Sequence, residues 1–225
     1  MKITFLGHAS LEIQINKFSL LVDPFISGNP IASKIDLDDL KPDFILITHA
    51  HQDHTLDVEK LAKDNNSLII SNFEIVSHFQ NKGLNGHPMN HGGNWDFDFG
   101  ELKYVNAIHT STFPDGSNGG QPGGFIITSN NKSIYIAGDT ALTYDMKLIP
   151  INYNLDLAVL PIGDNFTMGY KDAIIASDFI ECNKILGYHF DTFDLIEIDQ
   201  KKAVDEFKKV NKELIIIKPT EHIII

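Results

Sequence analysis

The sequence predicts an α/β protein of four layers, with two mixed β-sheets packed face to face and helices on the outside. Three observations carry that expectation. Some twelve short apolar runs have strand length and are punctuated by Gly, Asn and Pro. Four or five helical stretches are spread among them rather than gathered at one end. The order opens strand-strand-strand and then alternates strand with helix, which calls for antiparallel pairing first and right-handed parallel crossovers afterwards.

The elements follow in order. Residues 2–6, 11–15 and 18–22 are separated by Gly7 and Asn16-Lys17, and residues 11–15 alternate with period two, so an antiparallel meander is expected. A strand at 44–47, a helix near 56–63, a strand at 67–70 and a helix near 73–81 come next. Between Gly83 and Gly124 glycine, proline and asparagine are dense, as in long loops that carry function, and only 95–99 and 102–107 read as strands there. Strands at 124–128 and 133–137, a helix near 142–149, a strand at 155–160, a helix near 171–181, a strand at 184–188, a helix near 200–210 and a strand at 214–217 complete the chain. No repeat of fixed period and no shift in composition divides it. With 225 residues, 43% of them hydrophobic, it can bury one full core, and a single domain over residues 1–225 is expected.

The net charge is −12, and all 18 basic residues are lysines. An acidic surface repels phosphate backbones and the bidentate guanidinium fork is missing, so nucleic acid is not an expected partner. A small-molecule substrate remains, and any anionic group on it would meet Lys, backbone N–H groups or bound metal. Cys182 is the one cysteine; it excludes a disulfide within the chain and a Cys-rich zinc site, reads as a buried core thiol and fits a reducing compartment. The first six residues are too short for a signal-peptide apolar region, and no run approaches the ~18–20 apolar residues of a membrane span. A cytoplasmic protein with no membrane partner is expected, and a homo-oligomer is compatible with the composition.

The functional signal lies in Thr48-His49-Ala50-His51-Gln52-Asp53-His54, where three imidazoles and a carboxylate follow the apolar run Phe44-Ile45-Leu46-Ile47. Donors on a loop at the carboxyl end of a strand are where open α/β sheets keep their chemistry. Two metal ions need roughly six to eight donors, and His109, Asp139 and His189 share the same setting, each directly after an apolar, strand-like run. Imidazoles with carboxylates suit zinc, iron or manganese. In this reading His49, His51 and His109 hold one ion; Asp53, His54 and His189 hold a second about 3.5–4 Å away, with Asp139 bridging. A hydroxide shared by two cations forms near neutral pH and is a nucleophile. Taken singly, His109 and His189 read better as satisfied half-buried histidines, and Gly138-Asp139-Thr140 reads equally well as a turn and helix cap. The combination lifts them.

These residues resemble the metallo-β-lactamase-fold hydrolases, whose signature His-x-His-x-Asp-His, further His, bridging Asp and last His is matched at His49, His51, Asp53, His54, His109, Asp139 and His189. Leu6-Gly7-His8-Ala9-Ser10, Val22-Asp23-Pro24-Phe25, Asn94-Trp95-Asp96-Phe97, the stretch from His109 to Gly116 and that from Leu160 to Gly169 look like one bacterial subgroup of generic metal-dependent hydrolases, similar to the ascorbate-phosphate lactonase. The resemblance spans nearly the whole chain. It implies an αββα sandwich and a dinuclear site holding two divalent ions, zinc first, with manganese or iron as alternatives. Two positions depart from the subgroup: Pro219-Thr220-Glu221 stands where Pro-Gly-Glu is usual, and His91 where an apolar residue is expected.

His8 follows the first strand at the same rim and is expected either to contact substrate and protonate the leaving group, with Asp53 and Asp139 as the other catalytic residues, or to be structural. Asp23 is expected to receive the free N–H of a metal-bound imidazole, with a simple turn aspartate as the alternative. The loop 115–124 either covers the pocket or joins two strands. Asp164 and Asn165 face the metals or merely shape a turn, and His78, His87 and His222 read as surface residues. No Gly-x-Ser-x-Gly elbow is present. The expected activity is hydrolysis of a small ester, lactone, amide or phosphodiester. A mononuclear iron oxygenase on the same scaffold is the alternative, followed by a scaffold protein with a degenerate site.

Overall fold

The first three strands, β1 (Lys2–Gly7), β2 (Ser10–Ile15) and β3 (Phe18–Val22), form the antiparallel meander that the alternating pattern predicts, with Ile13 opposite Ile3 on one side and Leu20 on the other. The computed structural model describes residues 1–225. The chain then changes to parallel pairing through β4 (Phe44–Leu46), the one-turn helix α1 (Gln52–Thr55), α2 (Val58–Asn65), β5 (Leu68–Asn72), α3 (Phe73–Gln80) and β6 (Gly86–Met89). A second sheet repeats the two modes in the same order: β7 (Asn94–Phe97), β8 (Gly100–Asn106), β9 (Gly123–Ser129) and β10 (Lys132–Ile136) pair antiparallel. From β10 the pairing is parallel through β11 (Leu157–Pro161), α4 (Tyr170–Phe179), β12 (Lys184–Tyr188), α5 (Gln200–Lys209) and β13 (Glu213–Ile215).

The last strand, β14 (His222–Ile224), returns to the first sheet and pairs antiparallel with β1, so the spatial orders are β14-β1-β2-β3-β4-β5-β6 and β13-β12-β11-β10-β9-β8-β7. Two seven-stranded mixed sheets result. Period-two alternation divides their side chains into layers. Ile13, Leu20, Val22, Leu46 and Ile70 from one sheet meet Leu102, Phe125, Ile127, Ile136 and Val159 from the other in the central core. The outward residues Leu21, Ile45, Ile47 and Ile69 pack against Val58, Leu61, Ile75 and Phe79 of α2 and α3. Ala158, Leu160 and Ile185 pack against Ala173, Ala176, Ala203 and Phe207 of α4 and α5. This is the predicted order of helix, sheet, sheet, helix. No helix is long and apolar enough to cross a membrane.

Four local expectations needed correction. Residues 86–89 form a strand despite Pro88; as the outermost strand β6 needs no N–H on its free side. Residues 222–224 also form a strand, because β1 offers them an open edge. The helix expected near 142–149 is instead a run of 3-10 turns at Tyr144–Ile151, where Pro150 removes a donor and the α-helical ladder cannot continue. The helix expected from 56 starts at Val58 after the separate turn α1, because the Asp57 carboxylate turns back to accept the Ile26 and Ser27 N–H groups at 2.6 and 2.9 Å.

Candidate metal centre

The pairing modes decide where the donors lie. Two antiparallel steps separate β1 from β3, and β3 is parallel to β4; two antiparallel steps likewise separate β8 from β10, and β10 is parallel to β11 and β12. The carboxyl ends of β1, β3 and β4 therefore share one edge of their sheet, and those of β8, β10 and β12 share one edge of theirs. His8, Asp23 and the 48–54 loop emerge from the first edge; His109, Asp139 and His189 emerge from the second. Two backbone bonds join the edges: His189 N–H donates to His8 O at 2.8 Å and Gly123 N–H to Thr48 O at 3.0 Å.

All seven expected donors converge there. One donor atom from each of His49, His51 and His109 lies within 4.8 Å of the others, as in the groups His49, His54, Asp139 and His8, Asp53, His54, His189. Asp139 is central: its Oδ2 is 2.9 Å from His189 Nε2, 3.4 Å from His54 Nε2, 3.6 Å from His109 Nε2 and 3.9 Å from His49 Nε2. One carboxylate oxygen cannot bond four imidazoles at once. His54 Nε2, both His189 nitrogens and Asp139 Oδ1 are buried without any hydrogen-bond partner. Such orphans cost about 1–3 kcal/mol each unless something else binds them. A nest of imidazole nitrogens around a carboxylate fits divalent cations, and the donor types suit zinc, manganese or iron.

The surrounding bonds aim the rings. Asp23 accepts the Thr48 N–H at 2.8 Å and the Thr48 hydroxyl at 2.6 Å, and its Oδ2 is 2.9 Å from His54 Nδ1. Because the Thr48 hydroxyl donates to Asp23, it accepts Nδ1–H of His49, 3.0 Å away. His54 and His49 thus both place an N–H at Nδ1 and turn Nε2 inward, the atom each would offer to a cation once it is unprotonated. Thr48 is a residue that sequence reasoning passed over; its only signal was its place immediately before the first histidine. Ser111 was missed as well: its hydroxyl accepts the Ala50 N–H at 3.1 Å and donates to Gly119 O at 2.9 Å. The loop 115–124 is thereby a buttress beneath the 48–54 turn. Asn72 holds the same loop through Gly119 O and Gln121 O while capping α3 at the Ile75 N–H.

His8 is turned inward. It is fully buried, its Nε2–H donates to Asp53 Oδ2 at 3.0 Å and its Nδ1 accepts the Thr192 hydroxyl at 3.0 Å, so it stands behind Asp53. Three non-glycine residues of the site, His8, Asp23 and His189, hold left-handed φ of 58°, 45° and 56°, a strain of about 1–3 kcal/mol each that clusters where strands turn their ends toward the donors. Gly163 is required beside them, since a Cβ there would stand 2.1 Å from His189 O. Asp164 is an exposed turn residue whose carboxylate accepts the Asn165 N–H. His91 bonds Pro122 O, His78 stacks on Phe113, His87 packs on Trp95, and His222 lies in β14; none of the four joins the donor cluster.

Burial and charge set the protonation. Burial holds the imidazoles of His49, His51 and His109 below the ordinary value, hence neutral at pH 7. Burial, with His189 adding to it, brings His8 down to about 4. Burial opposes charge on His54 too, but Asp139, Asp23 and Asp53 surround it and raise its pKa well above the ordinary value. Burial likewise opposes ionisation of Asp139 and Asp53, yet His189 and His54 beside the first, and His54 and His8 beside the second, keep both below the usual carboxylate range.

Comparison with known proteins agrees with this geometry. A family model described as the Beta-lactamase superfamily domain matches residues 2–189. A "UPF0173 metal-dependent hydrolase" of Flavobacterium johnsoniae is 63% identical over 217 residues, covering 96% of each chain. Among solved structures, Igni18, a metallo hydrolase of the archaeon Ignicoccus hospitalis, is 28% identical with a TM-score of 0.89 over 99% of this chain and 97% of its own. CmlA, a diiron β-hydroxylase of Streptomyces venezuelae, shares the fold at 14% identity and a TM-score of 0.80, covering 100% of this chain and 54% of its own.

Proposed function

The chain belongs to the β-lactamase superfamily and, within it, to the UPF0173 metal-dependent hydrolases, and from that premise we propose that it hydrolyses a small ester, lactone, amide or phosphodiester with two divalent cations. The observation that supports this reading is the ring of four imidazole nitrogens around Asp139 Oδ2. Seven donors exceed what one ion takes. We assign His49, His51 and His109 to one ion and Asp53, His54 and His189 to the other, with Asp139 between them. Zinc is the first choice and manganese or iron the alternatives.

Cations held by these residues would supply Lewis acidity and acidify a bound water. The chain's own residues do the rest. Asp23 and Thr48 lock the His54 and His49 tautomers, so these rings need no reorientation. Asp139 is 3% exposed, whereas the Asp53 side chain is 30% exposed and His51 and His109 are half-buried, so the cluster opens on that side. Asp53, kept ionised, takes the proton of the attacking water and returns it to the leaving group. His8 holds that carboxylate in place through Nε2, acting as a positioning residue rather than as the proton donor.

The test is metal identity and stoichiometry by elemental analysis on protein purified without chelator, beside Asp139→Ala, followed by a panel of esters, lactones, amides and phosphodiesters. Near two ions per chain, falling in the variant, with turnover of at least one substrate class, is the expected result. A single iron with oxygen-consuming turnover would replace the hydrolase by the mononuclear oxygenase, and no metal would leave a scaffold.

A further inference from the structure

Four of the large apolar side chains exposed to water stand on the loops that carry the donors. Leu56 closes the α1 turn behind His54, Ile108 immediately precedes His109, and Phe193 and Leu195 follow His189; all four are exposed. Phe193 and Leu56 share one patch beside His8. The Phe193 ring is 5.4 Å from His8 and 6.4 Å from Phe25, and Phe25 is itself 5.7 Å from His8. A Cβ placed on Gly28 would touch both Leu56 and Phe25, which puts Leu56 in the same patch. Across the donors, Ile108 is anchored through its N–H to the Thr140 hydroxyl and through its carbonyl to the Ala141 N–H. The neighbouring loop, held by Met168 N–H to Thr140 O, presents Phe166; Ile108 and Phe166 are each 51% exposed.

Charge excludes one class of substrate. The ion pairs of Asp53 and Asp139 are all with histidines and none is with a lysine, the chain has no arginine, and its net charge is −12. With two divalent cations the three carboxylates of Asp23, Asp53 and Asp139 would leave little positive charge for an anionic substrate, and the acidic chain offers no guanidinium to hold a phosphate or carboxylate distant from the bond that breaks. An apolar rim of this kind, continuous with buried donors, matches an apolar group on the ligand.

We propose that the substrate is an uncharged ester or lactone whose apolar acyl or ring portion lies against Phe193, Leu56 and Ile108, a class that excludes phosphorylated sugar lactones. The proposal rests on the hydrolase reading above. Each methylene brought out of water adds to binding, so chain length should appear directly in the specificity constant.

The test compares kcat/KM for p-nitrophenyl acetate, p-nitrophenyl hexanoate and a succinate monoester of p-nitrophenol on the metal-loaded protein. We expect hexanoate to exceed acetate by about tenfold or more and the anionic ester to be the poorest. Phe193→Ala and Ile108→Ser should each shrink the hexanoate-to-acetate ratio about threefold or more, while Val210→Ser, at the far end of α5, leaves it unchanged. Because acetate is the internal reference, a variant that merely loses metal lowers both rates and leaves the ratio intact. A flat chain-length profile, a preference for the anionic ester, or turnover of phosphodiesters alone overturns the substrate class while leaving the hydrolase standing. If none of these esters and none of the lactones, amides and phosphodiesters tested above is hydrolysed, the hydrolase reading falls and the rim is judged by binding. Uncharged N-phenyl-1-naphthylamine should then bind more weakly to Phe193→Ala than to the unaltered protein, and equal binding would overturn the apolar site as well.

Discussion

Asp23 shows how one residue organises several. Its two carboxylate oxygens take the Thr48 N–H, the Thr48 hydroxyl and a ring N–H of His54, and through Thr48 they also set the His49 tautomer. Asp23→Asn would turn one acceptor into a donor facing His54 Nδ1 or Thr48, and would remove the charge that makes the His54 ring a better ligand. The expected effect is a loss of about 10–100-fold in metal affinity with unchanged far-UV circular dichroism, read by competition with a chelator of known affinity. An unaltered affinity would show that the Asp23 bonds serve packing alone. The partnership of Asp23 with an imidazole was one of two readings open for Val22-Asp23-Pro24, the other being a plain turn aspartate, and the bond to His54 Nδ1 selects the first. The intermediary Thr48 was not, because a threonine hydroxyl acquires its meaning only from the loop that happens to pack against it.

Elements behave as their sequences dictate until a neighbour offers something better. Pro150 breaks the helix expected near 142–149, whereas Pro88 does not prevent β6, because an edge strand needs only one row of bonds. The connection from β13 to β14 is the most telling case. Thr220 stands where the family resemblance leads to an expectation of glycine, yet the turn forms: Thr220 N–H donates to Phe5 O at 2.7 Å, Glu221 N–H to Lys218 O at 2.9 Å, and Lys218 N–H to Glu221 Oε2 at 2.8 Å. These bonds hold a β-branched residue at φ 76°, a conformation it disfavours. Thr220→Gly is therefore expected to stabilise the protein by about 1 kcal/mol, raising Tm by about 2–4 °C in thermal unfolding. A Tm that falls would mean that the added chain freedom of glycine outweighs the released strain.

At the scale of the whole molecule, folding gathers carboxylates around one histidine, and this ties metal uptake to pH. His54 keeps a proton in the chelator-treated protein because Asp139, Asp23 and Asp53 overcome the burial that opposes its charge. A pKa raised above the unfolded value of ~6.5 gives a stabilisation that is full below pH ~6.5 and fades as pH rises through the folded value. A cation takes the neutral ring, so uptake must expel the proton. Titrating zinc into chelator-treated protein at pH 7, in two buffers of unlike ionisation enthalpy, should give heats that differ by about one proton per chain or more, with affinity rising with pH. Equal heats in the two buffers would contradict the protonated His54. By itself the sequence determined the layer order, the two pairing modes and the seven side chains that folding brings together, because period-two patterning and metal chemistry each restrict residue type position by position. Only the tertiary structure decided that β14 closes the first sheet, that His8 turns inward to Asp53, and that four imidazoles face one oxygen of Asp139. The first depends on an open edge of β1 that the chain reaches only at its end, the other two on the sheet edges meeting through His8 and His189, and local preferences carry no information about such long-range meetings.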